Sequence, residues 1–348
     1  MKSGIYFTIV VSVMVFVAVS IGYGQVKLQE LRPPDPSLPS TASVENFSAA
    51  SLSKSRLHSD TPQLVEKDEE PEFIHEFYRV QWRAGDPIDL YVIRPTKVKN
   101  PPVVIYLYGH PSETDRYRDD GWCKRVTAGG YAAVGFVPAL TGHRYHDRPM
   151  KEWFVSELQE SIGKSTHDVQ MVLNYLAQRG DFDISNVGIF GVGAGGTIAV
   201  AAASADVRIK AVDLLDPWGD WPTWMAKSEV IPEEERPSYI KPEFLKKVAA
   251  FDPVVLLPGL KAHVRLIQLD EDSVNTPIKA KKRIEAALPA DSDRRHYATN
   301  AEFFGAVASG GRAFDWIKSQ LKTSGSTESS KVAQGSSSND QDERSPKQ

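Results

Sequence analysis

The sequence predicts an α/β protein with a mostly parallel sheet flanked by helices. Two observations carry this. Short continuous apolar runs such as Val103-Val104-Ile105-Tyr106-Leu107-Tyr108 suit strands whose two faces are both covered. These runs alternate with stretches of helical periodicity, which implies right-handed crossovers between parallel neighbours. One run, Val187-Gly188-Ile189-Phe190-Gly191-Val192, enters a glycine-packed turn at Gly193 and then an Ala-rich helix from Ala194.

Taken in order, Phe73–Trp82 and Ile88–Ile93 read as an antiparallel strand pair joined at Gly85-Asp86-Pro87. Val103–Tyr108 and Tyr131–Val137 are the next strands. A helix follows over Ser165–Leu176, spaced through Val169, Val172, Leu173 and Leu176. Glu160 and Asp168 read as solvated charges on that helix. After the glycine turn come a strand at Ile209–Leu215, a Trp- and Pro-rich lid over about 216–260, and a strand at His263–Leu269. A helix at Ile278–Leu288, a short strand at Arg294–Thr299 and a closing helix at Phe303–Leu321 complete the domain.

The ends differ in composition. Lys2, the apolar run Ile5–Val19 and Gly22-Tyr23-Gly24 match a secretory signal peptide over residues 1–24. The run is short for a spanning helix, which needs about 20 apolar residues; an uncleaved membrane anchor is the alternative. Residues 25–70 and 323–348 are rich in Ser and charge and read as a disordered linker and tail around a domain at 71–322. The expected location is the periplasm or cell exterior. A net charge of -4 gives no reason to expect nucleic-acid binding. The lone cysteine, Cys123, permits no internal disulfide and reads as a small buried hydrophobe.

Four stretches resemble the α/β-hydrolase superfamily, especially its dienelactone-hydrolase-, acetyl-esterase- and prolyl-peptidase-like branches. Gly191-x-Gly193-x-Gly195 resembles the G-x-S-x-G nucleophile elbow, with Gly193 at the serine position and the Ala194 N–H at an oxyanion-donor position. Tyr108-Gly109-His110-Pro111 resembles the loop whose backbone completes the oxyanion hole, here around Gly109. His110 either points into the site or caps its own loop. Leu269-Asp270-Glu271-Asp272 resembles the acid loop, with Asp272 as first choice and Asp270 as second. Tyr297–Phe304 resembles the loop carrying the catalytic histidine, and Ala301 stands at its place; His296 is a weak substitute base.

The resemblance implies a hydrolase scaffold lacking both the nucleophile and its general base. Asp216, Trp218 and Trp221 follow a strand end and are candidates for lining a retained pocket that binds a small molecule, a glycan or a partner. The alternative is an active hydrolase of ester or peptide-like substrates. It would use a displaced nucleophile such as Ser112, with His110 or His296 as base. No cofactor is implied. The glycines lack the following Lys-Ser/Thr of a phosphate loop. A loop after a core strand accounts for His143, His146 and Asp147 without a metal, so no metal site is expected.

Overall fold

The computed structural model describes residues 45–53, 55, 57–108, 114–139, 144, 157–271, 276–308 and 314–321. Among them, nine strands form one sheet in the order β1-β2-β3-β5-β4-β6-β7-β8-β9. The strands are β1 (Gln63–Glu69), β2 (Phe73–Val80), β3 (Ile88–Pro95), β4 (Pro102–Leu107), β5 (Ala132–Phe136), β6 (Asp183–Val192), β7 (Ile209–Leu215), β8 (His263–Leu269) and β9 (Asp293–Tyr297). The pairs from β1 through β3 to β5 are antiparallel, and those from β5 through β4, β6, β7 and β8 to β9 are parallel.

Residues of β4 divide between two cores. Val103, Ile105 and Leu107 face α2 (Leu158–Arg179) and α3 (Ala194–Ala205), whereas Val104 and Tyr106 face α1 (Asp120–Thr127) and the last helix, Asp315–Gln320. All five side chains are fully buried. Each stabilises the fold by about 1.5–3 kcal/mol relative to exposure, which accounts for the unbroken apolar run in the sequence. The parallel register places Leu107 beside Gly191 and Val192 beside Leu215. The C-terminal ends of β4, β6 and β7 therefore share one edge, where open α/β sheets bind ligands.

Three features depart from the expectations. Gln63–Glu69, inside the expected linker, is a strand on the sheet edge. Its residues are exposed on both faces, so no apolar alternation marks it. The closing helix is two helices, Asn300–Ala308 and Asp315–Gln320, with the poor helix formers Gly310 and Gly311 falling between them. Asp168 is not a solvated charge but fully buried. Trp82 Nε1 donates to it at 2.8 Å and Arg144 Nη1 at 2.8 Å, and Arg83 Nη1 donates to the same carboxylate. Arg144 also reaches Asp86 and the Val137 carbonyl.

Burial drives the Asp168 carboxyl toward a higher pKa, but Arg83 and Arg144 overcome it and hold the group down at about 2. A carboxyl whose folded pKa lies below its unfolded value of about 3.9 stabilises the fold fully above that value. The contribution is lost as pH falls from about 4 toward 2. Asp168→Asn should flatten this part of the acid-unfolding curve. It should also cost about 3–5 kcal/mol near neutrality, because two buried guanidiniums lose their counter-charge. Chemical denaturation at pH 7 and at pH 3 measures both effects.

Candidate active site

The elbow is built by β6, Gly193 and α3. Gly193 has φ +53° and ψ −119°, outside the regions that side-chain-bearing residues prefer. Its N–H donates to the Leu215 carbonyl at 2.9 Å, and its own carbonyl accepts from the N–H groups of Gly196, Thr197 and Trp218 at 3.0–3.2 Å. The flanking glycines answer to a different constraint. A Cβ at Gly191 would lie 2.4 Å from the Gly195 carbonyl oxygen, and one at Gly195 would lie 2.3 Å from that of Leu107. Those positions admit only glycine while the helix stays this close to the sheet.

Position 193 is less crowded. A Cβ there would meet Trp218 Nε1 at 3.3 Å. The indole thus lies over the volume into which a nucleophile's side chain would project. Trp218 is 1% exposed and packs on Trp224 with ring centroids 4.8 Å apart. Ala194 begins α3 and is buried. Thr197, the nearest hydroxyl on α3, is buried and donates to the Trp218 carbonyl at 2.7 Å, which commits it to the turn.

The candidate pocket residues after β7 are held by contacts within the fold. Asp216 is buried at φ +43°, where its carboxylate accepts from Lys281 Nζ at 3.0 Å and from the Leu269 N–H at 3.3 Å. It ties the end of β7 to α8 (Ile278–Ala286) by a buried ion pair. Trp221 opens the short helix Trp221–Lys227, donates through Nε1 to the Val248 carbonyl at 3.0 Å and packs edge-on against Trp224. It is 1% exposed, so it belongs to an internal tryptophan cluster rather than to a ligand surface. Asp252 fixes the start of this segment by accepting from the N–H groups of Asp220 and Trp221 at 2.8 and 2.9 Å.

His296 lies in β9, with 42% of its side chain exposed. Its Nδ1 is 3.0 Å from Asp270 and its Nε2 3.4 Å from Glu285. The hydrogen bond with Asp270 raises its pKa, against a smaller opposing effect of burial. Both ring nitrogens are engaged by carboxylates, one from Asp270, after β8, and one from Glu285. Ala301 lies exposed in the first turn of Asn300–Ala308. Around it, Thr299 Oγ1 accepts from the Glu302 N–H at 3.2 Å and Glu302 accepts from the Ala298 N–H at 2.6 Å. The loop that would present a histidine instead caps a helix.

Tyr108 follows β4 with the Arg116 guanidinium 3.6 Å above its ring, and burial pushes its phenol pKa up. Cys123 is buried and its thiol is pushed up to about 12, far from the thiolate a nucleophile requires. Gly109, His110, Ser112, His143, His146, Asp147 and Asp272 lie outside the described residues.

The comparisons with known proteins bear on this geometry. Residues 88–233, from β3 through the elbow into the tryptophan segment, match the dienelactone hydrolase family. The acetyl xylan esterase from Paenibacillus sp. R4 superposes with a TM-score of 0.61 at 17% identity, covering 79% of this chain and 91% of that one. The chain shares the fold of this esterase. Acetyl xylan esterase 1 from Thermoanaerobacterium sp. JW/SL YS485 superposes with a TM-score of 0.55 at 16% identity, over 76% of this chain and 89% of that one. The 2,6-dihydroxy-pseudo-oxynicotine hydrolase gives 0.54 at 16% identity, over 71% and 68%. No curated protein matches the sequence significantly. At these identities the structural likeness establishes the fold, and the chemistry rests on the residues themselves.

A serine at the elbow would have to adopt φ +53° beneath the Trp218 indole. Gly193→Ser should therefore lower stability by about 1–3 kcal/mol, the usual cost of such backbone conformations. A lower denaturant midpoint with an unchanged slope verifies this.

Proposed function

We propose that this chain is an exported pseudo-hydrolase. It keeps the superfamily's sheet and elbow, performs no Ser–His hydrolysis, and binds a small molecule, a glycan or a protein partner at the strand ends. The observation that carries the reading is Gly193 with the Trp218 nitrogen 3.3 Å from its Cβ position. Acyl transfer at an elbow needs an oxygen or sulfur atom raised there and a base to take its proton. Here the side chain is a hydrogen atom and an indole lies over it. Ala301 agrees with this, since a general base has no use where there is no proton to remove. The apolar run Ile5–Val19 supports export.

The structural relatives' names favour a second reading, in which the chain hydrolyses esters or peptide-like bonds with a displaced hydroxyl such as Ser112. His110 or His296 would then serve as base, although His296 is held by Asp270 and Glu285. Turnover of simple aryl acetates by the purified full-length protein separates the two. The first reading predicts a rate no greater than that with Gly193→Ala. Robust turnover abolished by Ser112→Ala would overturn it in favour of the second.

A further inference from the structure

Ahead of β1, residues 45–53 run across α2 as a strap. The Glu45 side chain has no exposed surface. Arg83 grips its carboxylate with two parallel bonds, Nε to Oε2 and Nη2 to Oε1, each 2.5 Å. Such bidentate pairing fixes geometry as well as charge. His167 Nδ1 meets the same carboxylate, and its Nε2 lies 2.7 Å from the Ala49 carbonyl. The ring stands between these two oxygen atoms. Glu45, Asp86 and Asp168 lie against the guanidiniums of Arg83 and Arg144.

Beyond the anchor, α2 reads the strap's backbone. Gln170 donates through Nε2 to the Ala50 carbonyl at 2.6 Å and accepts from the Leu52 N–H at 3.1 Å. Gly163 leaves room for the Phe47 carbonyl, which would lie 2.3 Å from any Cβ at that position. Lys164, paired with Glu160 at 2.5 Å, places its ammonium 5.1 Å from the Phe47 ring. Ala50, Leu52 and Leu57 pack on the core beneath. Gly163, His167 and Gln170 are spaced i, i+4, i+7, so they form one stripe along α2. Each contacts the strap.

We propose that this stripe is a carboxylate-anchored peptide site and that the chain's own residues 45–53 are its ligand in cis, held by the site's contacts rather than by their covalent link to β1. The site selects a segment with an acidic residue, a turn closed by the Ala49 N–H on the Asn46 carbonyl, and apolar residues at the positions of Ala50 and Leu52. Its role is to hold the start of the strap on the domain.

The test uses the full chain with a protease recognition sequence inserted between Ser59 and Asp60. After cleavage, the N-terminal fragment should co-elute with the domain in gel filtration and appear with it as one species in native mass spectrometry. Glu45→Gln, which takes the charge from the bidentate contact, should release the fragment about tenfold faster or more, as expected for losing a charge-assisted bond. Gln170→Ala leaves the charges in place and should release it to a smaller extent. It serves as the readout if near-UV circular dichroism shows that uncut Glu45→Gln is unfolded. A wild-type fragment that separates on the first column pass would overturn the proposal. So would variant fragments retained as long as the wild type.

Discussion

Helix α3 meets the sheet backbone against backbone, and the rest of the site follows from that contact. No Cβ fits at Gly191 or Gly195, because the carbonyls of Gly195 and Leu107 occupy the space. This close approach pulls the chain into a sharp turn at Gly193, whose carbonyl then gathers three N–H groups, including that of Trp218. The turn is thus stabilised from both sides without reference to chemistry. The flanking glycines are demanded by packing alone, whatever residue stands at position 193.

The tryptophan segment completes that logic. A glycine at the tip relieves the strain a side chain would bear, and it also leaves volume above the turn. Trp218 lies over that volume, Trp224 and Trp221 back it, and Asp252 and Val248 hold the segment's polar groups. Asp216, at the end of β7, is drawn into an ion pair with Lys281. The loop after β9 is folded into a helix cap at Thr299 and Glu302. Thr197, Asp216 and Glu302 thus each have a structural partner among the described residues.

Much of the fold could be read from the sequence because buried parallel strands announce themselves. Val103–Leu107 is a continuous apolar run in β4, and Ile209–Leu215 and His263–Leu269, although interrupted by polar residues, are strands with the expected bounds. Gln63–Glu69 gave no such signal, as an edge strand exposed on both faces has no apolar side to mark it. Asp168 was misread although a clue was present. It shares a helical face with Ser165, Val172 and Leu176, and a charge on a buried face requires a partner. Those partners, Arg83, Arg144 and Trp82, come from other elements, so only the folded chain brings them together. The glycine at 193 and the alanine at 301 were legible by position. The indole over Gly193 was not, because the spacing of Trp218 from the elbow says nothing about where its ring turns.

The account stands on the absence of a reactive side chain at the elbow. The most direct measurement is the intact mass of the purified full-length protein after incubation with an excess of a fluorophosphonate, which phosphonylates activated serines. The predicted result is an unchanged mass. A stoichiometric adduct, lost on heat unfolding before treatment and mapped by peptide sequencing to a hydroxyl beside Gly193, would contradict it.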